Sequence, residues 1–170
     1  MMPLKTCYPS PIGSIEVVGT RKGILSVSFS EDTAAGGPIP DVLTECIKQL
    51  DEYFKGKRKT FSLPLLLRGT VFQQSVWRQL TRIPYGKTSS YKKVARSIGK
   101  PGAVRAVGNA NGTNPVSIIV PCHRVVGHNG HLTGYGSGLW RKEWLLHHEG
   151  IPLKKKTSGM FVPVTKCSIS

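Results

Sequence analysis

The stretch SSYKKVARSIGKPGAVRAVGNAN, Ser89 to Asn111, decides how this chain folds. Either Ser89 or Ser90 can cap a short helix over YKKVARSIG, and Gly99 ends it. Pro101 stands where the first turn of a further helix would begin. That helix would run over GAVRAVGNAN. Two short helices joined by a tight, glycine-containing turn have the form of a helix-turn-helix. The same spacing also fits a plain three-helix core. Upstream, Thr70 is placed to cap a helix over VFQQSVWRQLTRI. Its apolar stripe is Val71, Val76, Trp77, Leu80 and Ile83, and Pro84-Tyr85-Gly86 stops it. Downstream, Asn114-Pro115 turns the chain into IIVPCHRVV, Ile118 to Val126. The glycine-rich run Gly127 to Gly138 is expected to be a loop or wing. Arg141 to His148 reads as a closing helix with Leu145 and Leu146 turned inward, ended by Gly150.

The first third reads differently. Residues 14–30, SIEVVGTRKGILSVSFS, hold two β-rich runs split by Gly-Thr-Arg-Lys-Gly, which predicts a hairpin. Glu31 to Pro40 is a loop by composition. Asp41 is expected to cap a helix carrying Val42, Leu43, Cys46, Ile47, Leu50, Tyr53 and Phe54 at helical spacing. A short strand is expected after the basic run Lys55 to Lys59, and PLLLRG leads out of the unit. The class is therefore α+β. A small N-terminal α/β domain over residues 1–66 precedes a helical domain over 67–152, either a winged helix-turn-helix or a plain three-helix core. Residues 153–170 form a basic tail expected to be poorly ordered. No internal repeat is present.

A chain of 170 residues with 39% apolar and 19% charged residues is globular rather than disordered. Its charge is lopsided, with 24 Lys and Arg against 9 Asp and Glu and a formal +15. Such a surplus favours nucleic acid as partner, because neutralising phosphates releases counterions. An anionic membrane surface is the other candidate. No stretch approaches the roughly 20 apolar residues that span a bilayer, and MMPLKTCYPSPIG has no signal-peptide core. A soluble protein of the cytoplasm, or of the nucleus in a eukaryote, is expected, with no membrane partner. Cys7, Cys46, Cys122 and Cys167 form no CxxC pair, so neither a disulfide framework nor a zinc site is expected.

Cys122 sits between Pro121 and His123, with Arg124 next. A thiolate rather than a thiol is the nucleophile, and it needs a base or a positive field. His123 and Arg124 could supply these. A helical turn opening after Pro121 would add a dipole. A histidine acting as base needs an acceptor on its far nitrogen. Past Leu63 the sequence has only Glu143 and Glu149 for that task. The blander alternatives are a core cysteine or, with His128 and His131, a metal site whose spacing matches no common pattern.

Several motifs stand in order: Gly69-Thr70-Val71-Phe72-Gln73 with Val76-Trp77; Ile83-Pro84-Tyr85-Gly86; Ser90-Tyr91; Arg105-Ala106-Val107-Gly108; Asn109-Ala110-Asn111-Gly112; Asn114-Pro115; Pro121-Cys122-His123-Arg124-Val125; Leu132-Thr133-Gly134-Tyr135; and Leu145-Leu146 before Glu149-Gly150. In this the chain resembles the O6-alkylguanine-DNA alkyltransferases over Gly69 to Gly150. The first third matches weakly, at Ser10-Pro11-Ile12-Gly13. An α/β domain there agrees with the family's ribonuclease-H-like one.

The resemblance implies repair by direct reversal, with Cys122 taking the alkyl group of O6-alkylguanine, and of O4-alkylthymine, irreversibly and once. His123 would draw the thiol proton through a water, Glu149 would orient His123, and Asn114 would hold the turn. The base would be flipped out of the duplex, with Arg105 filling its gap and Tyr91 crowding the 3′ phosphate and reaching the guanine. Tyr135 would contact O6. Ala106, Gly108 and Arg124 would belong to the DNA-binding surface. Ser117, Gly136 and Ser137, which vary on the family pattern, would border the alkyl pocket. Gly108 and Gly112 would let the helix approach a minor groove with little sequence code. The partner implied is double-stranded DNA carrying O6-alkylguanine, bound without sequence preference by a protein that is monomeric when free. No cofactor and no metal is implied. The alternatives are a lesion binder without transfer, which Cys122 argues against, a thiol hydrolase, and a sequence-selective helix-turn-helix regulator.

Overall fold

A computed structural model describes residues 2–32 and 37–153. The expected tail lies almost wholly outside them. The described residues divide into two units, those up to Arg68 with Pro115–Ile119, and Gly69–Asn114 with 120–153. The contiguous boundary drawn from sequence misses the return of 115–119 to the first unit.

The first unit is a three-stranded antiparallel meander, β1 (Leu4–Ser10), β2 (Gly13–Thr20) and β3 (Gly23–Ser30), in the order β1-β2-β3. On β2, Ile15, Val17 and Gly19 are buried while their neighbours are partly exposed, the period of two that a half-buried strand requires. Helix α1 (Asp41–Phe54) packs on this sheet through Leu43, Cys46, Leu50, Tyr53 and Phe54. Gly19 permits the close approach, since a Cβ there would lie 2.9 Å from Leu43 Cδ2. The outer edge of β3 is covered twice. Ile24 N–H donates to Pro64 O and its carbonyl accepts from Leu66 N–H, while Val27 N–H donates to Pro115 O and its carbonyl accepts from Ser117 N–H.

Three expectations change here. Strand β1 is absent from the sequence reading, because LKTCYPS lacks an apolar run and holds Pro9, which only an edge strand tolerates. Asp41 is the first helical residue rather than the cap. Pro40 occupies the cap position, and no side chain accepts there. The strand expected after Lys59 reduces to one bridge, Leu65 with Ile24.

The second unit is helical. Helix α2 (Val71–Leu80) opens with the expected capping box: Thr70 accepts from Gln73 N–H, and Gln73 accepts from Thr70 N–H. Helix α3 (Tyr91–Ser97) is capped by Ser90, which accepts from Lys93 N–H. Helix α4 (Val104–Gly112) starts later than the sequence suggested, and Pro101 lies in the preceding turn. The three helices pack on one another through Val76, Trp77, Leu80, Val94, Ala95, Val107 and Ala110. Trp77 Nε1 donates to Ala110 O at 2.8 Å and fixes α2 against α4. A short parallel ladder pairs β4 (Ser89–Ser90) with β5 (Val125–Val126). It ties the start of α3 to the segment just past Cys122. Gly127 to Gly138 is loop, and α5 (Leu139–His148) closes the unit. Among the described residues no helix is long and apolar enough to cross a membrane.

Candidate active site

Cys122 opens a 3-10 turn, Cys122–Arg124, wedged between α2 and α5. Three residues of 3-10 helix form no lasting dipole, so the field expected from a helix terminus is not the source of activation here. The thiol is 4% exposed. Burial pushes it above the ordinary cysteine range. Hydrogen bonding from Asn114, the charge of Lys142 and a hydrogen bond from Tyr135 pull the other way. At rest the group is a neutral thiol. Asn114 also donates from Nδ2 to Val120 O at 2.8 Å, which closes the bend leading into the turn.

His123 is wholly buried. Its Nε2 lies 2.8 Å from Glu149 Oε1. Glu149 takes two further bonds, from Arg124 Nε to Oε2 at 2.8 Å and from Arg124 Nη2 to Oε1 at 2.9 Å. Burial alone would raise this carboxyl. The bonds from His123 and Arg124, and then the guanidinium charge, hold it down to about 2. An ionised carboxylate only accepts, so Nε2 must carry the proton. Nδ1 is then the bare lone pair, and it has no partner among the described residues. Burial also lowers the basicity of His123, against the opposing pull of Glu149, so the ring is neutral at physiological pH. The site therefore holds a neutral thiol and, on the next residue, a neutral imidazole whose open nitrogen is chosen by the carboxylate behind it. Glu143 has no part in this.

Arg124 corrects an expectation. It does not stand on the DNA-binding surface. Its guanidinium is instead 6% exposed, forked on Glu149 and donating to Ile83 O at 2.7 Å. A planar group with fixed donors suits that buried fork.

Lys142 is a residue that sequence reasoning missed. It is fully buried and donates to Gly134 O at 2.9 Å. Its Nζ also stands 3.5 Å from Tyr91 Oη. Burial pulls it down to about 8, and the charge that Cys122 can carry opposes the fall. A clue was present in the sequence: Lys142 precedes Leu145 by three, on the inner face of α5. Tyr91 is half-buried, and its hydroxyl accepts from Thr133 Oγ1 at 3.1 Å. The loop with Tyr135, Gly136 and Ser137 is pinned at Gly134 by Lys142 and at Ser137 O by Arg141 Nη1 at 2.7 Å.

On α4, Arg105, Ala106, Asn109 and Gly112 are exposed along one face. Gly108 is half-buried, with the Tyr91 ring 3.9 Å from where a Cβ would stand. Gly112 has open space there. Ser117 is not among the residues gathered in this unit, since it pairs with Val27 in the first. From Gly69 to Asn114 the chain carries eight basic and no acidic residues, and all eight are exposed. No group of His, Cys, Asp and Glu among the described residues could hold a metal ion.

The class these features define is a helix-turn-helix unit with an outward cationic surface and a buried cysteine beside a histidine–glutamate pair. Residues 71–151 match the model of the 6-O-methylguanine DNA methyltransferase DNA binding domain, and residues 4–67 match that family's ribonuclease-like domain. A methylated-DNA–protein-cysteine methyltransferase of Methanosarcina acetivorans is 47% identical over 150 residues, covering 84% of this chain and 96% of that one. One of Mycobacterium tuberculosis is 48% identical over 145 residues, covering 82% and 88%. The crystal structure of the M. tuberculosis O6-methylguanine methyltransferase superposes with a TM-score of 0.79 at 46% identity, covering 87% of this chain and 93% of that one. A structure of the M. tuberculosis protein in complex with DNA gives the same TM-score at 47% identity, covering 85% and 91%. This chain belongs to the 6-O-methylguanine DNA methyltransferase family.

Proposed function

We propose that this protein repairs DNA by taking the alkyl group of O6-alkylguanine, and of O4-alkylthymine, onto Cys122, once per molecule and irreversibly. The observation that supports this most is the buried His123 ring, next in sequence to the buried Cys122, with Nε2 held 2.8 Å from Glu149 Oε1 and Nδ1 left without a partner among the described residues. The sulfur attacks the alkyl carbon in line with the carbon–O6 bond. A carbon–sulfur bond forms, and the electron pair of the broken bond returns to the guanine. The thiol proton passes through a water to Nδ1 of His123, and the guanine takes up one proton in exchange. Glu149 holds the histidine tautomer throughout. Lys142 adds positive charge that favours the thiolate as it develops, and Asn114 fixes the turn. The thioether carries no charge and cannot be displaced, so the protein is spent.

The target carbon lies inside a duplex, so the base must be flipped out. The exposed face of α4 lies in the minor groove. Arg105 fills the gap, with Ala106 and Gly108 beside it. Tyr91 crowds the 3′ phosphate, and Tyr135 contacts O6. Gly136 and Ser137 border the alkyl group. The eight exposed cations bind phosphates without regard to sequence, and the free protein is a monomer in the cytoplasm or nucleus.

Intact-mass measurement after incubation with duplex DNA holding one O6-methylguanine tests this. A gain of one methylene unit per chain, absent in Cys122→Ala, is expected. Tight binding to the lesion with no gain in mass would mean a damage-recognising protein in which Cys122 is silent.

A further inference from the structure

Helix α4 has two faces. Arg105, Ala106, Asn109 and Gly112 are exposed, while Val107, Ala110 and Asn111 are buried. Two of the buried positions are apolar, as helix packing requires. The third is an amide that is only 5% exposed. Its Nδ2 donates to the Cys122 carbonyl at 3.3 Å. Its Oδ1 meets no donor among the described residues. A buried acceptor left open costs more than one long hydrogen bond returns. A leucine would fill the position with less loss. Stability therefore does not explain why an asparagine stands there.

Its place does. Asn111 shares α4 with the exposed residues Arg105 and Asn109. Through one amide it joins that helix to the backbone of the residue bearing the thiol. Trp77 ties α4 to α2 through Ala110 O, and Asn114, just past α4, bonds Val120 O and the thiol itself. The Cys122 carbonyl also accepts from Val125 N–H, but that bond stays inside the 3-10 turn, whereas the Asn111 bond comes from α4. Holding the Cys122 carbonyl restrains ψ at that residue and so the direction of its Cα–Cβ bond, from which the sulfur is placed by a staggered χ1 alone. We infer that Asn111 is a positioning residue that makes the aim of the Cys122 sulfur depend on how α4 is seated on DNA. This rests on the function proposed above. The amide touches neither the alkyl group nor the proton path. It acts through the backbone of Cys122, and an in-line displacement tolerates little misdirection at the sulfur.

The variants Asn111→Leu and Asn111→Ala separate this role from a structural one. Three quantities are measured in the full chain: the thermal unfolding midpoint, the Kd for undamaged duplex, and the single-turnover rate on saturating O6-methylguanine duplex. Asn111→Leu is expected to unfold no earlier than the wild type and to bind duplex with unchanged Kd. Its transfer is expected to be slower by about ten- to a hundredfold. The pH midpoint of its rate should not move, because no proton-carrying group has changed. Asn111→Ala, which cannot clash, should show the same loss of rate. An unchanged rate in either variant would overturn the inference. So would a slower rate accompanied by a lower unfolding midpoint or weaker duplex binding in both, since that is what a packing residue would show. A wild type that transfers no methyl group would overturn the functional reading itself and the inference with it.

Discussion

The two units handle charge in opposite ways. Met1 to Arg68 carries nine basic and seven acidic residues, and its surface pairs include Lys5–Glu16 at 3.5 Å, Lys55–Asp51 at 2.7 Å and Arg58–Glu52 at 2.9 Å. From Gly69 to Leu153 there are eleven basic residues and only Glu143 and Glu149 to oppose them. One of those two acids is buried and engaged by Arg124 and His123. The first unit balances its charge at the surface. The second commits its one buried carboxylate to the site and leaves its outward cations for a polyanion. The same chemical pair, arginine on glutamate, therefore means different things in the two units, and variants can show it.

The largest contrast is expected at these arginine–glutamate pairs. Glu149→Gln leaves Arg124 buried without a counter-charge, which should cost roughly 3–5 kcal/mol of stability. It should also slow transfer by about a hundredfold or more, since the tautomer of His123 is no longer fixed. Glu52→Gln breaks a pair at a similar distance whose side chains are about a quarter exposed. It should cost roughly 0–1 kcal/mol and leave the rate alone. Denaturant titrations of both variants check this, and equal losses would break the comparison. pH sharpens it. Glu149 is held at about 2 against an ordinary 4.5. A carboxyl depressed in the folded state adds stability that is complete above its unfolded value. That stability fades as pH falls from about 4.5 through about 2. Glu149→Gln should flatten this window.

Lys142 gives the next effect, with the opposite sign for stability. Its folded value of about 8 lies below the ordinary 10.5. Between those values the unfolded chain binds more protons, so wild-type stability should rise with pH across that window. Lys142→Met should remove the rise and increase the unfolding midpoint at neutral pH, because a charge is no longer buried. It should slow transfer by about tenfold, as the field favouring the thiolate is lost. A variant that is less stable but equally fast would assign Lys142 to packing alone.

Smaller still is the effect of single surface cations. Removing one of Lys92, Lys93 or Arg96 from α3 should weaken duplex binding. It should also reduce the salt slope by up to about 0.9 for each phosphate that is no longer neutralised. Lys57→Ala or Lys59→Ala in the first unit should change neither. A binding titration across salt concentrations tests both units with one probe.

The legibility of the sequence follows the same division. The second unit was readable because its signals are local. Thr70 with Gln73, Ser90 with Lys93, and the stop at Gly99 each act within a turn of helix. Cys122 and His123 could be singled out because cysteine and histidine carry chemistry by type; the scarcity of acids narrowed their partner to Glu143 or Glu149, and only the family resemblance chose Glu149. Arg124 misled for the same reason. An arginine in a basic chain suggests phosphate, and only the packing shows that its fork is turned inward. Lys142 and Asn111 were hidden because their roles arise from burial, which a lysine or asparagine does not announce. In the first unit β1 was hidden because an edge strand needs little apolar character of its own. It is defined by β2, with which it pairs from Leu4 opposite Gly19 to Ser10 opposite Gly13.

The smallest contrast lies at the helix starts. Helix α2 begins with a side-chain cap and α1 with none. At α2 the Thr70 hydroxyl satisfies the Gln73 N–H, and Gln73 returns a bond to the Thr70 N–H. Gln73 Nε2 also lies 3.3 Å from Thr113 Oγ1, just past the end of α4. Thr70→Ala should therefore cost about 1 kcal/mol. At α1 the first-turn Asp41 helps only through its charge near the positive end of the helix. Asp41→Asn should cost roughly 0.3–1 kcal/mol, and added salt should shrink the loss. Thr70→Ala removes a neutral hydrogen bond, so its loss should persist at high salt. If both losses faded together with salt, the cap would be no more than a field effect, and the difference between the two helix starts would vanish.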